Sequence, residues 1–435
     1  MNRRLVQRRS SGSLWTAAGF LTILLTGTIS WSQVRAAPIV PRDNRVWALA
    51  NQYRSDQLKL LQQVVNIDSG TGDVEGGRKV GEILTQELRS FGAQVISVPA
   101  EAPNLAPNLV ATFSGSGKGR LLLIGHLDTV FEPGTAAKRP FRMDEQRAYG
   151  PGVSDEKGGV VQAIFALKIL HDLGFKDFRT ITLLVESSEE RGSPGTRQRI
   201  GKLVADADVE LNLEPGDPAD KITVWRKGST TFHIDVTGRA AHAGVAPELG
   251  RNAALELIHQ IEASHWPTTG SGLTSNLTVM SAGTRNNIIP EHASGQFNVR
   301  YRDKADLARV EEDFRKNALS RVIPDTQVAI SSDPAFPPLS ETPAVDALAR
   351  RADRIYAGLG LALEHGGNGG ASESALAQDG GIAALDGLGP VGGGFHSADE
   401  FLELKTLTPR LYLLTKLMMD LGRDPPGGAP GTRKP

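Results

Sequence analysis

A chain of 435 residues, 40% hydrophobic and 22% charged, is long enough for a large core and for more than one domain. Forty-eight basic residues against 49 acidic ones leave a formal charge of −1, which gives no reason to expect a nucleic-acid partner. Cysteine is absent, so disulfides, thiolate nucleophiles and cysteine-held metals are excluded; any metal must rest on His, Asp and Glu.

The first 36 residues stand apart. Arg3, Arg4, Arg8 and Arg9 precede an apolar run over 14–29, and Val34-Arg35-Ala36 places small residues where a signal peptidase reads. The pattern predicts a signal peptide cleaved before Ala37 and an exported protein, periplasmic or secreted. An uncleaved membrane anchor is the alternative, since the run is just long enough to span, although Thr22, Gly27, Thr28 and Ser30 interrupt it.

Beyond the leader, strand-like runs alternate with helical periodicity. Strands are expected at 108–113, 120–124, 180–185, 209–213 and 381–385, and helices at 75–91, 158–173, 344–356 and 407–421. This alternation predicts an α/β sheet with helices on both faces. Residues 222–337 read differently: strand 231–236, helix 252–264, strands 276–280 and 295–301, helix 304–319 and strand 326–331. That β-α-β-β-α-β order is the ferredoxin-like arrangement, inserted into the α/β domain, whose pattern resumes after Pro338. The expected layout is a discontinuous catalytic domain over 37–221 and 338–422, the inserted lid over 222–337 and a disordered Pro/Gly-rich tail over 423–435.

The ends of the expected strands carry the chemistry. Strand 120–124 runs into Gly125-His126-Leu127-Asp128, and a catalytic group is expected just past a strand's carboxyl end in an open α/β sheet. Spaced two apart, His126 and Asp128 face the same side of an extended segment, so one can ligate a metal while the other orients the imidazole. Asp155, in Gly150-Pro151-Gly152-Val153-Ser154-Asp155-Glu156-Lys157-Gly158-Gly159, could be an ordinary helix N-cap or a carboxylate bridging two cations. Glu189 and Glu190 follow strand 180–185; adjacent like charges raise each other's pKa unless a cation is near. Glu214 ends strand 209–213, and His396 lies in Gly392-Gly393-Gly394-Phe395-His396. Each is ambiguous alone, yet five segments supplying His, Asp, Glu, Glu and His favour a metal pair.

In order, GHLDTVF, GPGVSDEKGG, SSEERGSPGT, NLEPGD, GRAAHAG and GFHSADEF resemble the co-catalytic zinc peptidases. That family includes glutamate carboxypeptidase, peptidase T, acetylornithine deacetylase, succinyl-diaminopimelate desuccinylase and aminoacylase. The resemblance implies two zincs per subunit, with Asp155 as the bridging ligand, His126 and Glu214 completing one site and Glu190 and His396 the other. It implies Glu189 as general base and Asp128 as the group orienting His126. Such a zinc pair generates a nucleophile from water near neutral pH and polarises the scissile carbonyl. The lid would be a dimerisation domain whose His242, with Asn287 as polar companion, reaches the partner subunit's active site to stabilise the oxyanion. Arg300 would grip the substrate carboxylate, a role its planar fork suits.

Within the family, the segment from Ala246 to Ala253 looks most like glutamate carboxypeptidase. The expected reaction is therefore removal of a C-terminal amino acid, glutamate first, from a small peptide or N-acyl amino acid. An aminoacylase, deacylase or dipeptidase using the same metals is the enzymatic alternative; a non-catalytic dimeric binding protein would be expected to have lost a ligand or the base. One departure is visible. Where many relatives carry Gly-Gly-x-Ser-Asp, this chain has Gly369-Gly370-Ala371-Ser372-Glu373, which leaves the shape of the substrate pocket open. His171, His233, His259, His265, His292 and His365 match no catalytic motif and read as structural or surface residues.

Overall fold

The computed structural model describes residues 40–427. The expected leader and the last eight residues of the tail lie outside that range, while the final helix, Leu407–Arg423, runs to the tail's first residue. Among the described residues, no helix is long and apolar enough to cross a membrane.

The main sheet has six strands, and the alternation of side chains explains its two-sided burial. Strands Thr180–Glu186, Arg120–His126, Val209–Asn212 and Ala383–Leu385 run parallel, in that spatial order. Asn108–Ser114 joins antiparallel to Thr180–Glu186, and Gln94–Val98 forms the outer edge. Leu121, Leu123, Leu183, Val209 and Leu211 face the larger core, which holds the helices Lys157–Asp172 and Leu407–Arg423. Leu122, Ile124, Leu184 and Ala384 face the other way, onto Ile200 and Val204 of the helix Arg197–Ala205 and Ala375 and Ala377 of the helix Glu373–Asp379. A near-continuous apolar run such as Leu121-Leu122-Leu123-Ile124 is what a strand covered on both faces requires.

The inserted sheet has four strands in the spatial order Thr274–Ala282, His292–Tyr301, Gly228–Thr237, Gln327–Ser332. Numbered by chain order within the insert this is 2-3-1-4, the ferredoxin-like topology expected from the β-α-β-β-α-β pattern. Two helices, Ala253–Glu262 and Lys304–Asn317, accompany it, with Phe232, Phe297 and Phe314 at the centre of its separate core. The Phe314 ring centroid lies 5.1 Å from each of the other two. Just ahead of the four-stranded sheet, Lys221–Arg226 forms a short strand paired in parallel with Glu364–Asn368. The two crossings between domains run side by side, with Arg226 N–H donating to Leu339 O at 3.0 Å and Ser229 N–H to Phe336 O at 3.1 Å.

Because Phe314 is 2% exposed and central to the lid's small core, Phe314→Ala is expected to destabilise the lid by about 3–5 kcal/mol. A downward shift of the urea midpoint read by tyrosine and tryptophan fluorescence checks it.

Candidate metal centre and active-site cleft

Three parallel strands deliver their carboxyl ends to one edge of the main sheet, and the acidic and histidine residues collect there, as an open α/β sheet dictates. His126 is the last residue of Arg120–His126 and is fully buried. Thr180–Glu186 passes through Ser187 and Ser188 into a single 3-10 turn, Glu189–Arg191, stopped by Gly192 at φ 83°, where a side chain would be strained. Glu214 follows two residues after Val209–Asn212. Asp155 comes from the glycine-rich loop ahead of the helix Lys157–Asp172, and a Cβ at Gly159 would sit 1.9 Å from Leu213 O, so only glycine lets that helix approach the strand end.

Asp155 lies between the two histidines. Its Oδ1 is 3.2 Å from His126 Nε2 and its Oδ2 is 3.3 Å from His396 Nε2. On the His126 side Glu214 Oε1 stands 3.7 Å from Nε2; on the other side Glu190 Oε2 is 3.2 Å from His396 Nε2. His126, Asp155 and Glu190 present ligand atoms all within 4.8 Å of one another, and so do His126, Glu156 and Glu214. The five residues expected to hold metal therefore converge on one cleft. Asp155 is not the N-cap of the helix that follows; Glu156 takes that position. His396 has φ 60°, a left-handed backbone uncommon outside glycine and of the kind found at functional sites.

The donor chemistry fits a cation. His126 Nδ1 lies 3.0 Å from the backbone carbonyl of Asp128 and 3.5 Å from its carboxylate, so Nδ1 carries a proton and Nε2 is turned toward the carboxylates. That Nε2 is buried without a hydrogen-bond partner. A lone pair facing carboxylates in a dry site is repelled unless a proton or a metal lies between them.

The protonation pattern follows. Burial opposes ionisation of Asp155, but the imidazoles of His126 and His396 on either side of it outweigh that and hold the carboxyl below its usual range. Burial pushes Glu190 up to about 7, and Glu189 well up, helped by the charges of Glu214, Glu190 and Glu186. Hydrogen bonds to Asp155 and Glu190 raise His396 to about 10.

Buried groups that sequence reasoning did not single out hold this arrangement. Glu400, 2% exposed, accepts from the N–H groups of Gly152 and Ser154, both at 2.9 Å, and Asp155 at 3.1 Å, fixing the loop that carries Asp155. Burial lifts its pKa to about 7 despite those bonds. Lys157 donates to Val64 O at 3.0 Å and Ile67 O at 2.9 Å, and burial lowers its pKa to about 8. Glu156 Oε2 accepts from His126 N–H at 3.0 Å. Asp128 does more than face His126. Its carboxylate accepts from Thr71 Oγ1 at 2.6 Å and from the N–H groups of Glu189 at 3.2 Å and Glu190 at 3.4 Å, tying the acidic turn to the histidine strand.

A cleft of about 500 Å³ opens over these residues, walled on the lid side by Ser229, Thr231, Asn298, Arg300 and Phe336. Arg300 is steered by Asn298 Oδ1, which accepts from its Nε at 2.9 Å. Glu373 does not line the cleft. It is fully buried behind it, with Oε2 accepting from Asn212 Nδ2 at 3.2 Å and a carboxylate oxygen within 4.8 Å of those of Glu189 and Glu214, so it backs the acidic cluster from inside the domain. His242 and Asn287 are brought together on the lid, where Ala243 N–H donates to Asn287 O at 3.0 Å, but both are exposed and neither lines this cleft. Of the unassigned histidines, His233 and His365 pair with Asp333 and Asp353 at 3.1 and 2.9 Å, as surface residues do.

Fold and site together define a hydrolase with a metal-type donor set at the carboxyl edge of an α/β sheet. The sequence profile of Peptidase family M20/M25/M40 matches residues 122–420, and the chain belongs to that family. Carboxypeptidase G2 of Pseudomonas sp. (strain RS-16) is 34% identical over 386 residues, covering 88% of this chain and 93% of its own. Succinyl-diaminopimelate desuccinylase of Gluconobacter oxydans (strain 621H) is 28% identical over 390 residues, covering 83% and 97%. Among solved structures, a tripeptidase from Staphylococcus aureus superposes with a TM-score of 0.70 at 21% identity over 85% of this chain and 99% of that one. An M20 metallo-carboxypeptidase from Sulfolobus solfataricus gives 0.68 at 17%, over 84% and 99%, which supports the same catalytic-plus-lid fold.

The pKa shifts predict how the metal-free protein responds to pH. Glu190 and Glu400 have folded values near 7, above the ordinary 4.5, so the folded state binds their protons more tightly and stability falls as pH rises through that window. His396, raised from 6.5 to about 10, contributes stability that is present below pH 6.5 and is lost as pH rises toward 10. The thermal midpoint of chelator-treated protein should fall from about pH 5 to pH 8, and added divalent metal should raise it more at pH 8 than at pH 5. Above about pH 8 the lowered Lys157 begins to oppose the trend.

Proposed function

We propose that this protein is a di-zinc carboxypeptidase that removes a C-terminal amino acid, glutamate above others, from small peptides or N-acyl amino acids, and that it works as an exported homodimer. The observation that carries the reading is Asp155, with one oxygen toward His126 and the other toward His396, each about as far as a shared cation pair requires. His126 and Glu214 would hold one zinc, Glu190 and His396 the second. When bound, the pair supplies a Lewis acid for the scissile carbonyl and lowers the pKa of water.

The chain's own residues do the rest. Glu189, on the rigid 3-10 turn, takes the proton of the attacking water and delivers it to the amide nitrogen as that bond breaks. Burial raises its pKa in the metal-free site, and cations standing beside it would lower it again, so base and metals depend on each other. Arg300 offers its fork to the substrate's free carboxylate from across the cleft. The likeness to carboxypeptidase G2 over most of both chains supports carboxypeptidase action, the segment from Ala246 to Ala253 favours glutamate as the released residue, and the succinyl-diaminopimelate desuccinylase relatives keep an N-acyl amine in view as a second substrate class.

The dimer rests on geometry. Arg300 pairs with Ser229 at the cleft end of the lid sheet, whereas His242 and Asn287 lie beyond Thr237 and His292 at the far end. Eight residues of strand separate Ser229 from Thr237, about 26 Å, so His242 does not reach the cleft that holds its own Arg300. Its Nδ1 accepts from the N–H groups of Gly244 and Val245, both at 3.1 Å, which leaves Nε2–H as an exposed donor suited to an oxyanion. The edge strand Thr274–Ala282 exposes Leu277, Val279 and Met280, and the helix Ala253–Glu262 exposes Leu255 and Ile258, apolar surface that a second copy would cover.

Hydrolysis of N-acyl-glutamates is expected to exceed that of other N-acyl amino acids, to vanish with a chelator and to return with Zn²⁺; brisk turnover of other N-acyl amino acids with none of any acyl-glutamate would sink the glutamate assignment. Glu189→Gln should keep its metal and lose about 10²–10⁴-fold in kcat. His242→Ala should likewise keep its metal with most turnover lost. Mixing it with a Glu189→Gln variant should restore activity through hybrid dimers; absence of rescue would argue for a self-contained subunit.

A further inference from the structure

Glu214 has two differently occupied oxygens. Oε1 faces His126 Nε2, and Oε2 lies 3.2 Å from Arg226 Nη2. Arg226 closes the short strand Lys221–Arg226, is 4% exposed, and was not among the residues expected to serve the site. Its Nε and Nη2 donate to the two oxygens of Asp386, each at 2.7 Å, the bidentate fork that fixes a guanidinium in its plane. Asp386 is fully buried, and its Oδ2 also accepts from the hydroxyls of Ser372 and Ser374, each at 2.5 Å. Its backbone is held as well, because Thr223 N–H donates to Asp386 O at 3.0 Å in a bridge between the two segments.

The Arg226–Asp386 pair balances its own charge, so the remaining contact to Glu214 steers that carboxylate more than it neutralises it. A carboxylate free to rotate could turn both oxygens, or the wrong one, toward a cation. From this geometry we infer that Arg226, locked in orientation by Asp386, is a positioning residue that holds Glu214 Oε2 and leaves Oε1 as the single oxygen offered to the cation on the His126 side. Ser372 and Ser374 belong to the device because they anchor Asp386. Orienting partners of this kind set the affinity of the ligand they hold, typically by about 10–100-fold. The inference rests on the two-metal reading and deepens it.

The test is zinc affinity rather than turnover. Wild type, Arg226→Met, Arg226→Lys and Ser374→Ala are titrated with Zn²⁺ against a chromophoric chelator, and the Co²⁺-substituted forms are compared by visible absorption. Wild type should bind two cations. Arg226→Met should bind one with wild-type affinity and the other about 10–100-fold more weakly, with the Co²⁺ spectrum changed for that one alone. Arg226→Lys keeps the charge without the fork and should weaken the same site, and Ser374→Ala should do so to a smaller degree. If Arg226→Met does not fold, Arg226→Lys carries the test. Two cations at wild-type affinity with an unchanged spectrum in the folded Arg226 variants overturn the inference while leaving the metal reading intact. A wild type that binds no cation pair overturns the metal reading, and this inference with it.

Discussion

Negative charge gathered at one edge of a sheet is the constraint from which the rest of this molecule follows. Asp155, Glu156, Glu189, Glu190 and Glu214 meet at the carboxyl ends of three parallel strands, with Glu186 and Glu373 buried behind them. Two carboxylates about 4 Å apart repel by about 4 kcal/mol at the effective dielectric of a partly buried site. A domain's entire stability is about 5–15 kcal/mol, so a few such pairs left ionised would consume it. The protein resolves the conflict by dividing the group. Asp155, between two imidazoles, stays ionised, while Glu189 and Glu190 are pushed toward their neutral forms. Protons can settle the balance at low pH; near neutrality divalent cations do it better, and the same charge pattern then becomes a tool for activating water.

Keeping these groups in place is the work of a second set of buried charges. Glu400 takes three backbone N–H groups from the Asp155 loop, Asp128 gathers Thr71 and the Glu189–Glu190 turn, and Lys157 reaches past its own helix to the carbonyls of Val64 and Ile67. Most of these bonds join a side chain to backbone from another segment. A loop rich in glycine has little rigidity of its own, so its geometry is borrowed from carboxylates and an ammonium that have given up solvent to hold it.

What could be read from sequence divides along the same line. The central strands and long helices were legible because they are apolar runs or strongly periodic stretches, and the lid was legible from its order of elements. The acidic and histidine residues that converge here were legible because each lies within a few residues of a strand end or in a glycine-rich loop. Missed were the helices Asn44–Gln52, Arg54–Val65, Arg197–Ala205 and Glu373–Asp379 and the edge strand Gln94–Val98, none longer than 12 residues, where the four helices read in the catalytic domain run 15 to 17. Glu400, Asp386 and Arg226 were missed for a different reason. Their partners lie 160 to 248 positions away in several cases, and no local pattern records which loop a distant carboxylate will clasp. An arginine closing an apolar strand, as Arg226 does, was the one signal available. A charge buried there must have a partner.

The lid carries Arg300 and His242 at opposite ends of one sheet. Its strands Gly228–Thr237 and His292–Tyr301 pair along their whole length, so Arg300 at one end and the His242–Asn287 loop at the other are joined by one continuous ladder. The chain passes between the domains at two adjacent crossings, Arg226–Ser229 and Phe336–Leu339, and Arg197, anchored on Gly192 O of its own domain, donates to Ala335 O and Pro334 O on the other side. Any swing of the lid that brings Arg300 toward a substrate carboxylate therefore displaces His242 at the other end, on a lever of about 26 Å. In the proposed dimer that far end faces the partner's cleft. Substrate capture in one subunit would then be mechanically tied to delivery of the oxyanion donor in the other, because a well-paired sheet cannot adjust its two ends independently.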